Sequence, residues 1–180
     1  MPAQPAAVAG SQAGAADLRF AALDHRQAAQ AEPLHALRLL AYAQEAALLG
    51  AQQLPALQQS VAELQAKDEC FVGAWRDGAL VGAVATAPDL EEPGQQLVTS
   101  LVVHPAHQRL GIARRLMLQH VLAGADGELE GSGPVVWAVV TGALNAPALA
   151  LYQSLGFVPY RRGVVGPEEL PVLKLRRVPR

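Results

Sequence analysis

The sequence predicts one domain of mixed α/β (α+β) character, built on a single sheet that combines antiparallel and parallel strands. Three observations support this. The chain has 180 residues, about one domain's worth, and 51% are hydrophobic, so a full core can form without disulfides or metals. Short apolar runs alternate with alanine- and leucine-rich stretches in the order β-α-α-β-β-β-α-β-α-β-β. No internal repeat and no shift in composition marks a second domain, so residues 17–180 are read as one unit.

Each element has a local reason. Residues 1–16 are dominated by alanine, glycine, proline and glutamine, which predicts a disordered tail. Leu18–Leu23 is a short first strand. His25–Leu49 is rich in helix formers, with Pro33 at a start or a break and Gly50 as the stop. Pro55 opens a second helix reaching about Lys67. Cys70–Arg76 and Ala79–Thr86 are strands joined by Asp77-Gly78, a hairpin turn. An acid- and proline-rich loop, Pro88–Gly94, leads to the strand Leu97–Val103 and then a helix over Gly111–Leu122. Ala123–Gly133 is a loop. Pro134–Val140 is wholly apolar, which predicts a central strand covered on both faces. Asn145 caps a helix running to Leu155, with Pro147 in its first turn and Gly156 after its end. Phe157–Tyr160 and Leu170–Leu175 form a last antiparallel pair.

Composition excludes several classes. A formal charge of −2, with both signs interspersed, gives no general attraction to nucleic acid or anionic membrane. The single cysteine, Cys70, cannot form an internal disulfide and is read as a buried core thiol in a reducing, cytoplasmic setting. Residues 131–160 carry no charge, but their glycines, prolines and polar residues break any span of about 20 apolar residues. The N-terminus lacks the basic and leucine-rich regions of a signal peptide. His107 and His120 have no partners at metal spacing, so no metal is expected. Trp75 and Trp137 are read as core, and the acid pairs Glu91-Glu92 and Glu168-Glu169 as solvated surface; Arg161 and Arg162 are either solvated surface or a contact for an anionic substrate.

The junction VHPAHQRLGIARRL, Val103–Leu116, carries chemistry. A helix start presents free N–H groups and a partial positive charge, so it suits phosphate. Gly111 permits close backbone approach, and Ala113 leaves room. Arg109, and Arg114 or Arg115, can add charged hydrogen bonds to phosphate oxygens. The dinucleotide fingerprint G-x-G-x-x-G and the P-loop pattern are both missing. The competing interpretation is a plain turn before a surface helix, with its arginines in water.

The loop QRLGIA and, about thirty residues later, NAPALALYQSLGF together resemble the GNAT family of N-acetyltransferases. The first matches that family's Q/R-x-x-G-x-G/A loop through Gln108, Gly111 and Ala113. The second matches its N-x-x-A-x-x-x-Y-x-x-x-G-F helix through Asn145, Ala148, Tyr152, Gly156 and Phe157. The resemblance implies an acyl-CoA N-acyltransferase fold, a mostly antiparallel sheet splayed between strands four and five and flanked by helices. It implies acetyl-CoA as co-substrate, without a metal. Backbone groups of Leu101, Val102 and Val103 would pair with the pantetheine. Those of Arg109, Leu110, Gly111, Ile112, Ala113 and Arg114, with Gln108, would hold the pyrophosphate. Asn145 would touch the CoA arm, and Tyr152 would protonate the leaving thiolate. Tyr152 lies two turns after Asn145, on nearly the same helix face. A packing tyrosine is the alternative.

Family members that modify protein N-termini often carry a glutamate five residues before the matching asparagine. Here that position is Val140. Without a base, deprotonating an α-amine at pH 7 costs about 1.4 kcal/mol and a lysine about 4.6 kcal/mol. His104 is the candidate base that directly follows a strand; Glu69, His35 and Glu45 are others, and a water relay is open. The first helices and the last hairpin would build the acceptor site for a small-molecule or peptide amine. Their apolar surplus could instead mark a homodimer face. A non-catalytic acyl-CoA-binding or partner-binding module on the same fold is the alternative function.

Overall fold

The computed structural model describes residues 18–123 and 135–178. The expected tail and most of the expected 123–133 loop lie outside them. Seven strands form one sheet: β1 (Arg19–Leu23), β2 (Cys70–Arg76), β3 (Ala79–Pro88), β4 (Gln95–Val103), β5 (Val136–Gly142), β6 (Val158–Val165) and β7 (Leu170–Arg177). Their spatial order is β1-β2-β3-β4-β5-β7-β6, and every neighbouring pair is antiparallel except β4 with β5. The helices are α1 (Ala28–Leu49), α2 (Pro55–Gln58), α3 (Val61–Gln65), α4 (Ile112–Leu116, continued by a wider π turn over Met117–Val121) and α5 (Ala146–Ser154). None of the described helices is long and apolar enough to cross a membrane.

The two sheet faces hold separate cores. Leu34, Leu37 and Leu64, from α1 and α3, pack on Phe71, Ala83, Ala85 and Val102. Ile112, Leu116, Met117, Tyr152 and Phe157 pack on Val84, Val98, Val139 and Leu175 from the other side. β4 sends Val102 to one core and Val98 and Val103 to the other; Val98 and Val103 share a face although five residues apart because an extra residue, Thr99, shifts the strand's alternation between them. Gly142 lets α1 close on β5: a Cβ there would stand 2.8 Å from the Leu49 side chain.

Several expectations need correction. Pro33 neither starts nor breaks α1 but sits within its second turn. It is exposed, and the Ala29 carbonyl it leaves without a donor belongs to an exposed residue that water can serve. The single second helix is two short ones, because Ser60 adopts an extended cap conformation and forms a capping box with Glu63. Cys70 is exposed rather than buried. It opens β2 one residue beyond the last β1 pair, Leu23 with Phe71, so no β1 residue stands opposite it. Trp75 and Trp137 are half-buried at core margins. β5 is central as expected, yet Val140 remains 45% exposed.

The acid pairs are structural. Lys174 on β7 is buried, and its Nζ lies 2.7 Å from Asp89, 3.1 Å from Glu92 and 3.4 Å from Glu91. Tyr160 donates to Glu92 at 2.5 Å, and Arg161 pairs with Glu91. The β3–β4 loop is thereby fastened across β7 and β6. Arg162, by contrast, is exposed. Glu168, in the β6–β7 turn, accepts from the backbone N–H groups of Gln52 and Gln53 at 2.9 and 3.0 Å, tying that turn to the α1–α2 link.

The hydrogen bonds from Tyr160 and then Lys174 lower the Glu92 pKa from 4.5 to about 2. Its stabilising contribution is therefore complete above about pH 4.5 and fades as pH falls toward 2. Denaturant titrations across that window should show a flatter pH dependence for Glu92→Gln than for the natural chain. Lys174→Met leaves Asp89 buried without its cation and should cost about 3–5 kcal/mol in the same titration at pH 7.

Candidate active site

The parallel ladder between β4 and β5 runs through only four pairs, from Gln95–Val136 to Val98–Val139. Beyond these, β5 continues beside β7 as far as Gly142, and β4 beside β3 as far as Val103. At the divide β4 bulges: Val98 faces Thr86 and Ser100 faces Ala85, so Thr99 is an extra residue. A bulge bends its strand and sharpens the local twist. The result is a wedge between the C-terminal halves of β4 and β5. One edge of Leu101, Val102 and Val103 faces that wedge without a partner strand.

The wedge leads to the loop singled out in the sequence. After a short 3₁₀ turn, Pro105–His107, Arg109 and Gly111 both take left-handed backbone conformations, with φ 61° and 75°. They flank Leu110, which is exposed. Such alternation turns successive N–H groups to one side of the chain. α4 begins directly after Gly111, and no side chain caps it. Its first-turn N–H groups thus lack intrahelical partners and present a positive end. Ile112 is buried and anchors the turn, whereas Ala113 is half-buried. The Arg109 side chain is exposed. Arg114 reaches Ser154 at 2.9 Å, and Arg115 stacks over Phe20. Gln108 is held by α1, where its amide exchanges hydrogen bonds with Gln44 at 2.6 and 3.3 Å.

α5 brings the second motif to the wedge. Asn145 caps it by accepting from the Ala148 N–H at 3.2 Å, and its Nδ2 donates to Glu45 of α1 at 3.1 Å. Tyr152 is buried, with its ring edge-on to Phe157. Burial, with the nearby Tyr42 and Glu45, holds its phenol well above the ordinary pKa of 10. Tyr42 shares a hydrogen bond of 3.0 Å with Ser100, the residue after the bulge. α1 therefore contributes Arg38, Tyr42 and Glu45, at i, i+4 and i+7, as one stripe running along the wedge.

The other candidates lie elsewhere. His104 accepts the Ala106 N–H on Nδ1 at 3.1 Å and so caps the loop; no contact joins it to Tyr152 among the described residues. Glu69 pairs with Lys67 near the start of β2. His35 binds the Gln59 carbonyl at 2.6 Å. Among the described residues, no cluster of His, Cys, Asp or Glu could hold a metal ion. Sequence reasoning gave too little weight to Tyr42, Ser100 and Glu45. The signal available was the regular spacing of Arg38, Tyr42 and Glu45 in a helix otherwise made mainly of alanine and leucine.

Comparison with known proteins agrees with this geometry. The acetyltransferase (GNAT) family model matches residues 34–157. A protein of Bacillus subtilis strain 168, UPF0157 protein YqkA, is 33% identical over 136 residues, 75% of this chain. The match spans 36% of that protein's length. The ribosomal-protein-S18-alanine N-acetyltransferase of Escherichia coli has a similar structure, with a TM-score of 0.64 at 19% identity over 90% of this chain and 94% of that one. The PaiA N-acetyltransferase of Thermoplasma acidophilum, solved with coenzyme A, gives 0.65 at 14% identity over 88% and 98%. These structures share the splayed-sheet acyl-CoA N-acyltransferase fold. From its matched segment, its wedge and its loop, the chain belongs to the GNAT family of acetyltransferases.

Proposed function

We propose that this chain is an acetyl-CoA-dependent N-acetyltransferase that acetylates a primary amine by direct attack. The observation that carries the reading is the end of β4–β5 pairing at Val98–Val139, with an uncapped helix start at Gly111 beyond the unpaired end of β4. The free β4 edge at Leu101–Val103 can pair with the amide groups of a pantetheine arm as an added strand would. The N–H groups from Arg109 to Arg114 can bind the pyrophosphate. A cavity of about 400 Å³ beyond them, lined by Arg114, Leu118, Ser154 and Gly156, has room for the far end of a ligand of that length. The lone cysteine supports a cytoplasmic setting.

In the proposed reaction the amine nitrogen forms a bond to the thioester carbon, and the C–S bond then breaks. Glu45, held by Asn145, takes the amine proton. The Tyr152 hydroxyl serves the leaving sulfur. Its raised pKa keeps it neutral, and therefore a donor, throughout the working pH range. A thiol near pKa 8.5 is the stronger acid, so complete transfer from the phenol is uphill by at least about 2 kcal/mol. The proton must move as charge develops on sulfur, and the phenol then recovers a proton from the solvent. Glu45 replaces His104 as the favoured base, because His104 caps its own loop whereas Glu45 reaches the wedge. The exposed Val140 supports the alternative of a CoA-binding module without turnover.

Acetyl-CoA at about 100 times its dissociation constant should stabilise the fold by about 2.7 kcal/mol, read as a rise of a few degrees in Tm. The same titration with Gly111→Val, which strains a left-handed backbone position, should give a much weaker shift.

With an accepted amine, Tyr152→Phe should lower kcat by about 100-fold or more while acetyl-CoA binding persists. In the natural chain no alkaline loss of kcat from phenol ionisation should occur below about pH 10. An acetyl-CoA shift without CoA release from any amine would favour the binding module.

A further inference from the structure

Arg38 is 5% exposed and stands one turn before Tyr42 on α1. Arginine side chains carry a positive charge in proteins. Nη2 donates to the Gln59 side-chain oxygen at 3.1 Å, and the guanidinium carbon lies 5.2 Å from the Tyr42 ring centroid. Nη1 is buried with no hydrogen-bond partner among the described residues. Among the described residues no carboxylate lies within ion-pair distance of it. Buried charges are normally paired, and an arginine presents a fork that fits a carboxylate through two parallel hydrogen bonds. Here a neutral amide oxygen fills one arm of that fork and the other arm is empty.

The position of the fork gives this meaning. The Tyr42 ring that Arg38 faces carries the hydroxyl bonded to Ser100, at the opening of the wedge. Glu45 is seven residues further on the same stripe, roughly 10 Å along the helix axis. An amine near Glu45 and a carboxylate near Arg38 therefore fit within one small molecule, given the reach of the arginine side chain. Gln59 lies in the extended joint between α2 and α3, where its side chain can yield to a carboxylate.

We propose that Arg38 is the carboxylate receptor of the acceptor site, so that the acceptor is a small amino acid carrying both a primary amine and a carboxylate. The inference rests on the N-acetyltransferase reading above and names its substrate class. The substrate carboxylate displaces the Gln59 amide and binds Nη1 and Nη2 together.

The test measures CoA thiol release from acetyl-CoA over the common α-amino acids, β-alanine and γ-aminobutyrate, each beside its carboxamide. The expected result is at least one acid turned over with kcat/KM at least 10-fold above its amide. Arg38→Met keeps the stem packing and removes the charge. It should erase that preference, raising KM for the acid by roughly 10- to 100-fold and affecting its amide far less. Gln59→Glu supplies an internal carboxylate. It should raise Tm and raise KM for acids only. Equal turnover of acids and amides overturns the proposal, as does equal loss of both in the two variants. Release from plain amines alone overturns it too. No release from any amine, while acetyl-CoA still raises Tm, overturns the substrate class and favours the binding module, leaving the cofactor site standing. No release and no acetyl-CoA shift overturns the N-acetyltransferase reading itself.

Discussion

The site depends on a sheet that stops pairing halfway. A parallel ladder normally satisfies every backbone group along its length, and leaving part of one open exposes polar edges. Here the opening follows from divergence. The bulge at Thr99 bends the far half of β4, which stays with β3, while β5 stays with β7 to Gly142. Those ladders use the outer edges of β4 and β5 and carry the two strands apart, so their facing edges stop pairing after Val98–Val139. The wedge is therefore a fixed feature of the fold, and its free edge can recognise an extended, amide-bearing ligand.

α1 lies across that wedge and brings polar side chains to it. Its apolar residues, among them Leu34 and Leu37, fix it over one face of the sheet. The same helix then lays Tyr42 against Ser100 and Glu45 against Asn145, so both strands of the wedge are addressed from one rigid element. Each contact constrains the next. Asn145 caps α5, α5 positions Tyr152, and Tyr152 lies buried near the two α1 side chains that help raise its pKa. Around the wedge, the β3–β4 loop is held at Lys174 and the β6–β7 turn is held through Glu168.

Much of this was legible before any coordinates. The helix over Asn145–Leu155 and its stop at Gly156 were readable because proline, asparagine and glycine impose local backbone choices. The strand order was readable because apolar runs were separated by turn residues. What escaped the sequence has one character. Cys70 and Val140 are exposed although their neighbours are apolar, because exposure depends on which strand ends beside them. Glu92 resembles a solvated surface charge until β7 brings Lys174 against it.

The sequence by itself determined the element types, the phosphate-suited loop around Gly111 and the family resemblance. All of these rest on interactions within about a dozen residues. Tertiary structure alone decided that Glu45 meets Asn145 while His104 caps its own loop, that Tyr42 crosses to Ser100, and that Arg38 is buried without a counter-ion among the described residues. Those outcomes depend on contacts between residues 21 to 100 positions apart. The chain specifies them only by burying both cores at once, which leaves α1 a single seat on the sheet.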